Sequence, residues 1–162
     1  MIKLFKKPCC FILIILLFFC AILTGCNKAD IVSPAEITKQ IIESNNFSKM
    51  KELSGDQLSS YFQFKNTDVK RFSAFISDST DLSDTVAAFE TEKEESYNLV
   101  ITGISKYLTK LSSAMQSSVG NEYEKTRSAL IMHIDNTVIL VVSADFEKIE
   151  AQLKELGAKA VY

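Results

Sequence analysis

The sequence predicts an α+β domain, with an antiparallel sheet of about four strands and helices packed mainly on one face. Three observations predict it. In the segment 71–77 the apolar residues Phe72, Ala74 and Ile76 alternate with the polar residues Arg71, Ser73 and Ser77, as in a half-buried strand. Two apolar runs, 129–134 and 138–142, are typical of central strands. A stripe with helical spacing runs through 92–117. The predicted order of elements is α-α-β-β-α-β-β-α.

The first helix is predicted from its N-terminal signal. Segment 33–36 reads Ser-Pro-Ala-Glu, which is a capping box with proline at the first helical position. Asn45 and Asn46 end the helix. Residues 47–63 predict one or two short helical turns, separated by Gly55.

A hairpin and a long helix follow. The strand at 71–77 and a second strand at 85–91 are separated by the polar turn 78–84. Gly103 lies within the long helix, where we expect it to allow close approach to the sheet. The stripe of this helix consists of Tyr97, Val100, Ile101, Ile104, Leu108, Leu111 and Met115.

The C-terminal part is predicted as a hairpin and a helix. A loop around Gly120 leads into the two apolar strands, which a tight turn at 135–137 joins. The last helix starts at Asp145 and ends at Gly157.

The N-terminus has the pattern of an export signal. Residues 1–10 carry three lysines and no acidic residue, and residues 11–23 carry no charge. This apolar run is shorter than the roughly 20 residues that a membrane-spanning helix needs. It ends at Leu23, Thr24, Gly25 and Cys26, which resemble the lipobox of bacterial lipoproteins. The alternative is an uncleaved anchor with a coincidental cysteine.

The lipobox predicts three segments. Residues 1–25 are a signal peptide, 26–32 a lipidated cysteine with a short tether, and 33–162 a single extracytoplasmic domain. A diacylglycerol on Cys26 supplies two acyl chains, which suffice to hold the protein at the cell membrane. The other three cysteines lie in the leader, so the mature chain forms no internal disulfide or cysteine-based zinc site.

Charge argues against nucleic acid as a partner. Three of the 18 basic residues and none of the 20 acidic residues lie in 1–25, so cleavage moves the net charge from −2 to −5. A mildly acidic domain does not attract nucleic acid or anionic lipid by bulk charge.

Two polar features are compatible with metal binding. His133, the one histidine, is compatible with a general base or a metal ligand, but a zinc site usually needs several such ligands. Asp78, Asp81 and Asp84 are compatible with calcium, but the EF-hand order is absent and a hairpin turn uses the same residues. We therefore interpret His133 as a strand residue and the aspartates as a turn.

The acidic residues before the long helix also have two interpretations. Glu90, Glu92, Glu94 and Glu95 are compatible with the paired carboxylates of a glycosidase. Negative charge at a helix N-terminus is also stabilising by itself, which is the interpretation we favour.

Tyr107 is the remaining candidate. It occupies the place of the second glycine in a G-x-S-x-G pattern, so Ser105 is not a predicted nucleophile. Because Tyr107 lies off the apolar stripe of its helix, we expect it to be exposed and a candidate partner contact.

The segments that carry a family resemblance are Leu53, 55–58, 71–77, 86–89, Tyr123 and 138–143. Together they resemble the DUF4358 family of bacterial lipoproteins, and the resemblance covers about residues 33–157. Family members often have proline soon after the equivalent of Tyr123 and a glycine in the last hairpin turn, whereas this chain has Glu124 and Asp-Asn-Thr. The resemblance implies an anchored extracytoplasmic domain, typical of low-GC Gram-positive bacteria, and supplies no catalytic residues.

The function expected from the sequence is non-catalytic binding at the outer face of the cell membrane. The expected partner is an envelope or membrane protein within reach of the anchor, and no cofactor or metal is expected. One alternative is a small hydrolase that uses carboxylates from Asp84, Glu90, Glu92 and Glu94. Another is a one-domain ligand binder, which would contain a deep apolar pocket.

Overall fold

Residues 32–118 and 120–161 are described by a computed structural model of the chain. The predicted leader, the lipobox and Cys26 lie outside these residues. Within the described ranges, no helix is long and apolar enough to span a bilayer.

The domain contains five α-helices and six strands. The helices are α1 (Pro34–Ser44), α2 (Leu58–Phe62), α3 (Glu94–Met115), α4 (Glu122–Arg127) and α5 (Phe146–Glu155). The strands are β1 (Met50–Glu52), β2 (Arg71–Ser77), β3 (Thr85–Glu90), β4 (Leu130–Ile134), β5 (Thr137–Val142) and β6 (Lys159–Ala160).

All six strands form one antiparallel sheet in the order β1-β2-β3-β5-β4-β6. The predicted α+β class is confirmed, but the sheet has six strands rather than about four. The additional strands are the edge strands β1 and β6, which contain three and two residues. Segments this short cannot display a recognisable alternation of apolar and polar residues.

Helices cover both faces of the sheet, so the prediction that they pack mainly on one face is wrong. On one face, α2 and α3 pack against Ala74, Ala87 and Leu140 in the main hydrophobic core. Successive strand residues point to opposite faces. The contact between the hydroxyls of Thr38 and Ser73, 2.7 Å apart, therefore places α1 on the other face.

The last helix lies beside the first. The side chain of Asn45, at the C-terminus of α1, donates to Gln152 Oε1 of α5 at 3.0 Å. Because helices cover both faces, every residue of β3 and β5 is buried. This explains why the sequence of both strands is apolar on both faces, where one-sided packing would have left alternate positions polar.

Three local predictions are confirmed. In the capping box of α1, Glu36 accepts from the Ser33 backbone N–H at 2.8 Å, and Ser33 Oγ accepts from the Glu36 N–H at 3.3 Å. Asp135, with φ of 47°, forms the tight turn between β4 and β5. Gly157, with φ of 87°, follows the last helix.

Two short elements differ from the prediction. The segment expected to be a helical turn around Met50 is strand β1, and the expected loop after Gly120 contains helix α4. Each is short enough for tertiary contacts to decide its conformation, because local propensity is a weak determinant over a few residues.

Gly103 allows a close approach, but to the segment after α2 rather than to the sheet. A Cβ at this position would clash with the backbone carbonyl of Phe62 and lie 2.7 Å from the Phe64 ring. Replacing Gly103 with alanine is therefore expected to destabilise the domain by about 1–3 kcal/mol, although alanine favours the helix by about 1 kcal/mol. Urea unfolding measures the change. Thr102→Ala, at an exposed neighbouring position, should stay within about 0.5 kcal/mol of wild type, and equal stability of the two variants would contradict the packing argument.

Candidate functional site

A cleft of about 310 Å³ lies between the C-terminal half of α3 and the loop 78–84 that joins β2 to β3. We call it the α3 cleft. Its helix side is formed by Tyr107, Lys110, Leu111, Ala114 and Met115. The opposite side is formed by Lys51, Tyr61, Ile76, Ser77, Asp78, Ser79, Thr80, Leu82, Ser83 and Asp84.

A buried ionic cluster lies directly behind the loop side of the cleft. Lys125 Nζ on α4 donates to Asp84 Oδ1 at 2.7 Å and to Glu122 Oε2 at 2.9 Å. The side chains of Asp84, Glu122 and Lys125 are each only 8% exposed. We call these three residues the buried triad.

Backbone groups complete the triad. Glu122 Oε2 accepts from the backbone N–H of Ser83 at 2.7 Å and from its hydroxyl at 2.8 Å. Asp84 Oδ2 accepts from the backbone N–H of Ser48 at 3.0 Å. The triad therefore ties the end of the cleft loop both to α4 and to the segment that precedes β1.

The charge of Lys125 follows from these contacts. Burial alone would lower the pKa of its ammonium group, but the hydrogen bonds that it donates to Asp84 and Glu122 outweigh burial and raise the pKa above its ordinary value of 10.5. Lys125 is therefore charged at neutral pH. Its charge compensates carboxylates that would be costly to bury without a partner.

Tyr107 is buried, contrary to the expectation from the sequence. The residue is 7% exposed, and its ring lies 4.7 Å from that of Phe62, measured between centroids. The arc of α3 that faces the core passes through Gly103 and Tyr107, because α2 fills the space beside the sheet. One edge of Tyr107 still lines the α3 cleft.

The hydroxyl of Tyr107 lies 2.8 Å from Thr85 Oγ1. Thr85 donates its own proton to the Ser83 carbonyl at 3.1 Å, so Tyr107 is the donor in the bond between the two hydroxyls. Burial raises the pKa of Tyr107 to about 12, and the side chain is therefore neutral at physiological pH.

The four carboxylates considered for hydrolysis do not all share one cleft. Glu92 and Glu94 line a depression beside His133 and Asp135, whereas Asp84 lines the α3 cleft. Asp84 directly precedes β3 and Glu90 is its last residue. From the rise per residue of a strand, their backbones lie about 20 Å apart. Glu90 is paired with Arg71 and with Lys70, whose Nζ lies 2.9 Å from Glu90 Oε1. Glu92 and Glu94 are exposed near the Glu90 end of the strand. Paired glycosidase carboxylates lie about 5–9.5 Å apart, which Asp84 and Glu90 do not approach.

The ion pairs of Glu90 predict a pH dependence of stability. The hydrogen bond from Arg71 is the main cause that lowers the pKa of Glu90 below its ordinary value of 4.5. Its stabilisation is therefore complete above pH 4.5 and is lost as the pH falls through the lowered pKa. Glu90→Gln should reduce stability at pH 7, and its difference from wild type should narrow below pH 4.5. Urea midpoints from pH 7 to 3 measure this, with the exposed Glu92→Gln as control. A constant difference across that range would contradict the assignment.

The structure also locates the other candidates. His133 is partly buried, its Nδ1 lies 3.3 Å from the Asp135 carbonyl oxygen, and its ring packs edge-on against Tyr97. Asp78 pairs with Lys49 at 3.1 Å, and Asp81 is exposed. Among the described residues, no group of three or more histidine, cysteine, aspartate or glutamate residues is placed to hold a metal ion.

Sequence reasoning missed most of the buried triad and its partners. The available signal was the spacing of Glu122 and Lys125, which are three residues apart and therefore neighbours on a helix. Because the sequence predicts a loop here, the spacing of the two residues does not by itself indicate an ion pair. Ser48 and Ser83 contribute backbone donors, for which a sequence carries no signal.

Comparison with known proteins identifies a family. No curated protein and no solved structure matches the chain. Residues 43–143 match a family described as a domain of unknown function, and this match spans β1 to β5, including Asp84, Glu122 and Lys125. The resemblance seen in the sequence is thus confirmed, and the chain belongs to the DUF4358 family.

Proposed function

We propose that the protein is a lipid-anchored binding module at the extracytoplasmic face of the cell membrane, and that the α3 cleft holds its ligand. The anchor is supported by the basic and apolar leader and by the lipobox at 23–26. Two acyl chains on Cys26 would give stable attachment.

The observation that carries the binding proposal is the α3 cleft itself. Its volume of about 310 Å³ lies within the range of small-molecule sites. Aromatic and apolar side chains such as Tyr61, Tyr107 and Leu111 share its walls with the hydroxyl residues of the loop. The triad ties the loop at Ser83 and Asp84, so the site is formed before a ligand arrives.

Binding without catalysis is supported by the state of the acidic groups in the cleft. Asp78 and Asp84 both line it, and each is paired with a lysine, Lys49 and Lys125 respectively. A general acid or base needs a proton that it can exchange with a substrate, and Asp84, held in a buried ion pair, is poorly suited to this. The pair of Asp78 with Lys49 is exposed.

Photo-crosslinking in living bacteria tests the proposal. A photoreactive phenylalanine derivative is placed at Thr80, an exposed residue of the cleft, or at Thr102, an exposed residue of α3 that does not line it. We expect one dominant adduct from position 80 and none from position 102. Mass spectrometry identifies the adduct.

A blocking variant controls the experiment. Ala114 lines the cleft and is exposed, so Ala114→Trp should fill the cleft and remove the adduct at position 80. Ser113→Trp, at the adjacent exposed position outside the lining, should leave the adduct in place. No adduct at position 80, or the same adducts from both positions, would argue against a binding role for the cleft.

A further inference from the structure

The acidic and the basic side chains that line the α3 cleft differ in whether they have an ion-pair partner. Four such side chains line it, two acidic and two basic. Asp78 is paired with Lys49 and Asp84 with Lys125, and neither of these lysines belongs to the lining. Both carboxylates of the lining are thus paired with lysines outside it, and Lys125 is shared between Asp84 and Glu122.

The two lysines that line the cleft, in contrast, have no ion-pair partner in the part of the chain that the structure describes. Within residues 32–118 and 120–161, neither Lys51 nor Lys110 forms an ion pair or a side-chain hydrogen bond. The neutral Tyr107 adds no negative charge beside them. The cleft therefore presents two cations whose charge is not compensated.

The two lysines approach the cleft from different elements. Lys51 of β1 stands opposite Ile76 of β2, so it lies on the sheet face that α3 covers. Lys110 lies on α3, next to Leu111 and one helical turn after Tyr107. A ligand in the cleft can therefore meet ammonium groups from both the sheet and the helix.

We propose that the α3 cleft binds a small amphipathic anion, with its carboxylate or phosphate group at Lys51 and Lys110. Its apolar body lies against Tyr61, Tyr107 and Leu111. The inference rests on the proposed binding function and adds the chemical class of the ligand. A doubly contacted anion gains charge-assisted hydrogen bonds, while the apolar walls gain from burial of the body.

A matched set of probes tests this class. The probes are 4-phenylbutyrate, 4-phenylbutyl phosphate and 4-phenylbutanol, which share one apolar body and differ in the head group. Ligand-detected NMR with the full lipidated chain in nanodiscs gives their dissociation constants. We expect both anions to bind at least tenfold more tightly than the alcohol, and their ranking tells carboxylate from phosphate.

Lysine variants locate the charge effect. The double variant Lys51→Gln and Lys110→Gln should weaken both anions about tenfold and leave the alcohol unchanged. Lys106→Gln removes an exposed lysine of α3 outside the cleft lining, and it should leave all three constants unchanged.

The outcomes separate the two proposals. If Ala114→Trp abolishes binding of all three probes but the alcohol binds as tightly as the anions, the cleft binds ligands and the anion inference is wrong. The inference would also be overturned if none of the three probes bound. It would be overturned as well if the adduct specific to position 80 proved to be a protein rather than a small molecule. Failure of the binding function itself would appear as the absence of that adduct.

Discussion

Replacing Lys125 with methionine is expected to lower the free energy of unfolding by about 3–5 kcal/mol, because it leaves Asp84 and Glu122 buried without their cation. Methionine preserves most of the side-chain volume, so the loss reports charge rather than a cavity. The free energy of unfolding of a domain of this size is typically about 5–15 kcal/mol. The variant should therefore still fold at 25 °C, with little stability left, and unfold on mild heating.

Urea unfolding followed by circular dichroism measures this effect, with Lys154→Met as the matched control. Lys154 pairs with Glu150 at 2.7 Å on the surface of α5, where such a pair contributes under about 1 kcal/mol. Adding Asp84→Asn and Glu122→Gln to Lys125→Met should recover part of the loss, because the amides can still accept from Ser48 and Ser83. Equal losses from Lys125→Met and Lys154→Met would show that the triad is not an important source of stability.

Replacing Cys26 with serine is expected to abolish lipid attachment completely. The thioether to diacylglycerol needs a thiol, and a serine hydroxyl is a far weaker nucleophile. Cells grown with an alkyne-tagged fatty acid should label the wild-type protein and leave Cys26→Ser unlabelled. The intact mass of the wild type should match a chain that begins at position 26 and carries diacylglycerol.

The control for this experiment is Cys20→Ser. Cys20 lies in the same leader but follows Phe18 and Phe19, where a lipobox has small residues, so its replacement should leave labelling unchanged. Label that survives in Cys26→Ser, or a wild-type protein that keeps residues 1–25, would favour the alternative of an uncleaved anchor.

The elements that the sequence predicted well are those long enough to show a period. β2 alternates between apolar and polar residues at every position but Phe75, and α3 keeps one apolar face over 22 residues. Edge strand β1 and helix α4 contain three and six residues, and their conformations depend on the neighbours they pair with or pack against. Tyr107 shows the same limit within a well-predicted helix. The apolar stripe correctly indicates which side of α3 is buried. How far burial extends around the helix depends on the elements that pack against it, and these cannot be read from the helix sequence.

The cleft could be predicted only in parts. The polar character of 78–84 was evident, and Asp84 was noted as an acidic residue of the turn. Its partner Lys125 lies 41 positions away, and in a single sequence nothing links the two. The uncompensated charge of Lys51 and Lys110 is likewise a property of the folded chain, because it depends on which acidic residues other lysines have already paired with.

The order of strands in the sheet has a consequence for how the protein folds. The hairpins β2–β3 and β4–β5 are local, whereas the pairing of β3 with β5 joins residues about 50 positions apart. Each hairpin can form early, but the central ladder must wait until the chain that contains α3 and α4 has closed into a loop. Until then, both inner edges are strands that are apolar on both faces, and unpaired edges of this kind readily associate with other chains. The ladder between β3 and β5 is therefore the part of the sheet at which newly synthesised molecules are most vulnerable to aggregation.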